Sequence, residues 1–232
     1  MKAVFIEHAE KRSLGVEEIV HALTPEVDLV IIQSYLGQAL PDVNEFDFII
    51  SGGGPMGAYE MHKPEYSFLA EEADLLNKSI QKGKGILGIC LGHQLLSRVL
   101  GAKVERDEST KEIGWSRVNL TDSGKNDHLF SGCDSEFLVF QYHYDETKDL
   151  APDSTNLATS RQCAIQAIRY KNLPVYGIQF HPEISPSIGR SIITSRKEKL
   201  EHEGVDVSSA VALGYEENQH NRQLIFYNFL HP

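Results

Sequence analysis

No stretch of the 232 residues approaches the run of about 18 apolar residues that a membrane-spanning helix needs. Basic clusters are missing too: 22 lysines and arginines face 33 aspartates and glutamates, a formal net charge of −11. Surfaces for nucleic acid or anionic membrane need concentrated positive charge, so neither partner is expected. The three cysteines, Cys90, Cys133 and Cys163, are odd in number and far apart, which excludes a disulfide frame or a zinc knuckle and fits a reducing compartment. The opening Met1-Lys2-Ala3-Val4-Phe5-Ile6-Glu7 turns acidic too soon for a signal peptide. A soluble, cytoplasmic protein is expected. With no internal repeat or low-complexity tract, the chain reads as one unit, 1–232, with a helical tail from about 187 onward.

What is present is organised around Gly85-Ile86-Leu87-Gly88-Ile89-Cys90-Leu91-Gly92-His93-Gln94. The apolar run predicts a buried parallel strand, and Leu95, Leu96, Val99 and Leu100 then recur at helical spacing. Between strand and helix stands a cysteine with a glycine two residues to either side. That is the pattern of a nucleophile elbow, a sharp turn that lifts its central side chain clear of the sheet. It also places Cys90 at a helix N-terminus, where free N–H groups favour negative charge. A small buried cysteine in an ordinary strand-to-helix turn is the plainer alternative. Downstream, Val175-Tyr176-Gly177-Ile178-Gln179-Phe180 predicts a second apolar strand that ends at His181, with Glu183 two residues on across Pro182. A thiol nucleophile needs a base, and the base an orienting acceptor; His181 and Glu183 supply both residue types.

These paired segments resemble the class I glutamine amidotransferases, whose cysteine, histidine and glutamate sit in Gly-x-Cys-x-Gly-x-Gln and Phe-His-Pro-Glu settings. Cys90, His181 and Glu183 match residue by residue. The resemblance implies a flavodoxin-like α/β fold, with a doubly wound, mostly parallel sheet flanked by helices and a mixed or antiparallel strand extension. It also implies glutamine as substrate, a thioester on Cys90, no cofactor or metal, and a separate ammonia-accepting synthetase, since no such domain is visible in the chain. The tail resembles stand-alone, GMP-synthetase-like members.

Other segments take their meaning from both sources. Phe46 to Ile50 predicts a third strand running into Ser51-Gly52-Gly53-Gly54-Pro55-Met56-Gly57. This glycine cluster exposes backbone N–H groups but lacks the Lys-Ser/Thr pair of a phosphate-binding P-loop. In the resembling family such a loop supplies half of the oxyanion hole, which assigns the donors to the N–H groups of Gly54 and Leu91. Gln94 matches a glutamine that helps hold the substrate. Where many relatives read His-Gly-Asp, this chain has His143-Tyr144-Asp145, so a phenol replaces a close-approach glycine and the pocket is expected to differ. His143 is given a supporting role at that site. A γ-glutamyl peptidase acting on γ-glutamyl conjugates, or a non-catalytic binding protein of the same fold, are the competing readings.

Strands are also expected at Lys2–Ile6, Val27–Ile32, Ala102–Glu105, Gly114–Leu120, Phe137–Gln141 and Ala164–Tyr170. Helices are expected at Leu14–Leu23, Tyr66–Lys82 (with Phe68, Leu69, Ala73, Leu76 and Ile80 as its apolar stripe), Ser187–His202 and Asn218–Leu230. Trp115 is assigned to packing, Cys133 and Cys163 to structural or incidental positions, and 204–214 to a turn or short helical link.

Overall fold

A computed structural model describes residues 1–10 and 13–232. The first half alternates strands and helices: β1 (Lys2–Glu7), α1 (Ser13–Leu23), β2 (Asp28–Gln33), β3 (Phe48–Ser51), α2 (Ser67–Gln81), β4 (Gly85–Ile89) and α3 (Leu91–Val99). Then come β5 (Val104–Arg106), β6 (Glu112–Leu120), the single turn α4 (Asp122–Lys125), β7 (Glu136–His143), β8 (Asp145–Thr147), β9 (Ser154–Ser160), β10 (Ala167–Tyr170) and β11 (Val175–Ile178). Four helices close the chain: α5 (Pro186–Ser195), α6 (Lys197–His202), α7 (Val207–Leu213) and α8 (Gln219–Leu230).

Among the described residues the strands form one nine-stranded sheet in the order β2-β1-β3-β4-β11-β10-β9-β6-β7, and β5 pairs with β8 in a small second sheet. From β2 to β11 the pairing is parallel; from β11 to β7 it is antiparallel. The parallel half is covered on both faces, so β3, β4 and β11 are buried at every position and read as unbroken apolar runs. One core layer joins Phe5, Ile50, Leu87, Tyr176 and Ile178 to Ile225, Phe226 and Phe229 of α8. The opposite layer packs Val4, Ile49 and Ile86 against Leu69 and Leu76 of α2 and Leu95 of α3. A third cluster gathers Trp115, Phe140, Ile184, Ile193, Leu200 and Ala210, and so fastens α5, α6 and α7 to the antiparallel half. Trp115 is a packing residue, edge-on to Phe140 with ring centroids 5.0 Å apart.

Several expectations need correction. Ser187–His202 is not one helix: the backbone breaks at Arg196 (φ −113°, ψ 16°) into α5 and α6. The 204–214 link, by contrast, is the short helical one expected: it holds α7, capped by the Asp206 side chain, which accepts from Ser209 N–H. In α2 the fully buried positions are Leu69, Glu72, Leu75, Leu76 and Ser79, whereas Phe68, Ala73 and Ile80 are only partly covered. Strands β8 and β9 went unforeseen.

Candidate active site

Strands β4 and β11 are parallel neighbours, with Ile89 opposite Ile178, so the residues that follow each strand emerge side by side at the same sheet end. Cys90 is the first residue beyond β4 and the N-cap of α3. Its φ of +53° and ψ of −104° lie in a region that residues with a side chain rarely occupy. Such strain persists only where surrounding structure over-determines it. Here the turn is pinned by Cys90 N–H donating to Ile178 O at 2.8 Å and by Gln94 N–H donating to Cys90 O at 3.0 Å. The flanking glycines are required by close approach. A Cβ on Gly88 would stand 2.5 Å from Gly92 O, and one on Gly92 would stand 2.1 Å from Ser51 O. The turn thus has the strained, glycine-flanked geometry of an elbow, with the Cys90 side chain itself buried.

His181 is buried, and its Nδ1 lies 2.6 Å from Glu183 Oε1. A proton on Nδ1 donates to that carboxylate and leaves Nε2 free of it, and Cys90 lines the same pocket as the ring. Burial opposes charge on the imidazole, but Glu183 and Cys90 outweigh it and hold the His181 pKa well above its ordinary value. The His-Pro-Glu turn is clamped from behind. The Arg222 guanidinium of α8 donates Nε–H to Pro182 O at 2.8 Å and Nη2–H to Glu183 O at 3.3 Å, and His181 N–H donates to Phe140 O at 2.9 Å.

The glycine loop closes over this pair. Gly52 accepts from Gly92 N–H at 3.1 Å, tying the loop to the first turn of α3. A Cβ on Gly53 would lie 2.8 Å from His181 Cε1, so no side chain fits there. Gly54 and Cys90 line a common pocket of about 280 Å³, together with Met56, Gln94, His143 and Tyr144. Leu91 is the first residue of α3, where backbone N–H groups have no partner within the helix.

Gln94 is buried, and its Nε2 donates to Asp145 O at 3.0 Å and Gln179 Oε1 at 3.1 Å, so its side chain braces the Tyr144–Asp145 turn. His143 is buried beside the pocket, with Nδ1 3.1 Å from Asp145 O and Nε2 3.4 Å from Glu112 Oε2. The Tyr144 ring lies on the pocket wall with the Arg106 guanidinium 4.6 Å from its centroid. Its hydroxyl is engaged by Glu203, just beyond α6, and burial followed by that bond pushes the phenol pKa up. Helix α6 and its flanks also bring Arg196 and Lys199 to the rim. The other thiols lie outside this pocket; burial pushes Cys133 up to about 12 and raises Cys163 further.

Sequence reasoning missed three contributors: Arg222, the rim residues of α6, and the buried His8–Glu72 pair under the glycine loop. None belongs to a short motif. The only advance signal was a histidine directly after an apolar strand and a glutamate on the apolar face of α2.

Comparison with known proteins agrees with this geometry. Residues 14–198 match the family described as glutamine amidotransferase class-I. A glutamine-hydrolyzing GMP synthase subunit from Pyrococcus abyssi is 42% identical over 100 residues, covering 43% of this chain and 51% of the relative. The chain thus spans about half the length of the GMP synthase subunits it matches. The glutamine amidotransferase-like protein YfeJ of Salmonella typhimurium is 33% identical over 169 residues, covering 72% of this chain and 69% of YfeJ. A crystal structure of a glutamine amidotransferase from Thermotoga maritima superposes with a TM-score of 0.84 at 29% identity, covering 99% of this chain and 96% of that one. With a matching family over most of its length and an elbow, base and acid brought together at one sheet end, the chain belongs to the class I glutamine amidotransferases.

Proposed function

We propose that the protein hydrolyses the side-chain amide of glutamine through a thioester on Cys90. The observation that carries this reading is the convergence of the strained Cys90 elbow with the buried His181–Glu183 pair on adjacent strands. His181 Nε2 takes the thiol proton, and Cys90 Sγ attacks the amide carbon. The oxyanion that forms is held by the N–H groups of Gly54 and Leu91; removal of one such donor costs about 2.7 to 4 kcal/mol in comparable sites. Collapse breaks the C–N bond, and His181 gives its proton to the departing ammonia. Water, deprotonated by the same imidazole, then cleaves the thioester to glutamate and restores the thiol. Glu183 keeps the ring in the tautomer that presents Nε2 to sulfur. Gln94 and His143 shape the pocket behind the substrate, and Tyr144 forms its wall.

Relatives named as glutamine-hydrolyzing GMP synthase subunits support a further step, in which the ammonia is delivered to a separate synthetase. A second reading, hydrolysis of γ-glutamyl conjugates, is favoured by Arg196, which lines the pocket with its guanidinium 5.1 Å from the Tyr142 ring centroid and suits a leaving group that carries a carboxylate, whereas Arg106 and Lys199 beside it are paired with Glu108 and Glu203. The deciding experiment measures glutamate release from glutamine and from γ-glutamyl dipeptides by wild type and Cys90→Ser. Turnover that vanishes in Cys90→Ser, and persists in Cys133→Ser and Cys163→Ser, supports the mechanism. Turnover retained by Cys90→Ser defeats it, and the faster substrate chooses between the two readings.

A further inference from the structure

His8, the residue after β1, is fully enclosed, with its ring 6.2 Å from Phe68 and close to parallel. Its Nδ1 lies 3.0 Å from Gly52 O and its Nε2 lies 2.5 Å from Oε2 of the equally buried Glu72 on α2. A backbone carbonyl only accepts, so Nδ1 carries a proton; the second proton sits between Nε2 and the carboxylate. Gly52 O also accepts from Gly92 N–H at 3.1 Å, so His8, the glycine loop and the first turn of α3 meet at one oxygen. Burial works against a charged imidazole here, yet Glu72 first, and the Gly52 and Gly53 backbone after it, outweigh it and raise the pKa.

A buried ion pair is a poor means of stabilising a fold, because desolvation offsets most of the attraction. This pair instead acts on the glycine loop. In a planar trans peptide the C=O and the following N–H point in opposite directions. The Gly52 carbonyl held by His8 therefore fixes the Gly52–Gly53 peptide, one peptide before the Gly54 N–H. Gly54 itself lines the pocket together with Cys90. A Cβ on Gly54 would meet His8 Cβ at 2.9 Å and Leu91 Cδ2 at 2.6 Å, so the loop is seated tightly between the histidine and the elbow.

We propose that His8, held by Glu72, is a positioning residue that fixes the Gly52–Gly54 peptides so that the Gly54 N–H faces the reacting carbonyl. This rests on the reading of Gly54 as an oxyanion donor, and the test separates the two. In glutamine hydrolysis, His8→Ala and Glu72→Gln are expected to lower kcat, His8→Ala by about 100-fold, with KM little changed. Alkylation of Cys90 by iodoacetamide should stay near the wild-type rate in both variants, because that displacement forms no oxyanion. His8→Asn, whose amide nitrogen can still donate to Gly52 O, should recover part of the loss. Unchanged kcat in folded His8→Ala or Glu72→Gln overturns the proposal, and so does alkylation that falls in step with kcat. If wild type hydrolyses no γ-glutamyl substrate, the functional reading fails first. The crystal structure of Glu72→Gln then decides the inference: a rotated Gly53–Gly54 peptide upholds it, and an unmoved one rejects it.

Discussion

The Tyr144 hydroxyl donates a 2.6 Å hydrogen bond to Glu203 Oε2, joining the turn after β7 to the end of α6 across the mouth of the pocket. The phenol ring is thereby fixed against the pocket wall and not turned out to solvent. Tyr144→Gly should widen the pocket and change the ratio of kcat/KM for glutamine over γ-glutamyl dipeptides. Direct contact in such a pocket is worth about 1 to 3 kcal/mol, so a change of roughly tenfold or more is expected. Tyr144→Phe, which keeps the ring and loses only the tie to Glu203, should change the ratio less. Equal losses on every substrate would mean that the backbone, not the pocket, had been altered.

His181 and His143 both lie at the pocket, but only His181 has a carboxylate within 2.6 Å. His181→Ala should lose on the order of a thousandfold or more in kcat. Glu183→Gln still accepts from Nδ1–H, yet it gives up the charge that stabilises an imidazolium, and should fall between wild type and His181→Ala. His143→Ala should be milder than either. A ranking in which His143→Ala is the most damaging would exchange the two histidines' roles.

Arg222 satisfies two backbone carbonyls of the His181–Glu183 turn from a helix about 40 residues away. Arg222→Met fills similar space but leaves Pro182 O and Glu183 O without these donors, at about 1 to 3 kcal/mol for each buried group left unpaired. The variant should unfold at a lower temperature, and kcat should drop because Glu183 is no longer fixed. Thermal denaturation and glutamate release measure the two effects separately. Intact kcat in a destabilised variant would limit Arg222 to a structural role.

Glu217 accepts from Trp115 Nε1–H at 2.5 Å, and burial pushes its pKa up to about 6 despite that bond and the nearby Arg222 and Arg190 charges. Between the ordinary value of 4.5 and about 6 the folded chain holds a proton that the unfolded chain has released. This group's contribution to stability therefore declines as pH rises through that window. Glu217→Gln cannot ionise. The difference in Tm, variant minus wild type, should become more positive between pH 4.5 and pH 7, and a difference that is flat or falls with pH contradicts the assignment.

The parts legible in the sequence are those whose physics is local. Gly85 to Gln94 declares a strand, an elbow and a helix within ten residues, and Val175 to Glu183 does the same for the base and its acid. By contrast β9, Ser-Thr-Asn-Leu-Ala-Thr-Ser, buries only Leu157 and Ala158 and has no alternation to betray it; it is a strand because β6 and β10 flank it. Strand β8 has three residues and owes its existence to pairing with β5. The break at Arg196 carries neither proline nor glycine, so nothing local marks it. His8 with Glu72 and Arg222 with the His181–Glu183 turn are separated by 64 and about 40 residues, beyond the reach of any motif.

The hydrogen-bond ladder that sets Ile89 opposite Ile178 has a consequence for how such a protein diversifies. Cys90 and His181 hang from the sheet itself, whereas Tyr144 arrives on a turn and Arg196, Lys199 and Glu203 arrive on α6 and its two ends, in the helical layer packed on Trp115 and Phe140. The residues proposed to break the bond and those that line the mouth of the pocket thus belong to different elements of the fold. A lineage can therefore exchange the helices for a new clientele while the cysteine and histidine stay in step, and grafting α5 to α7 from one relative onto another is the corresponding route for an engineer.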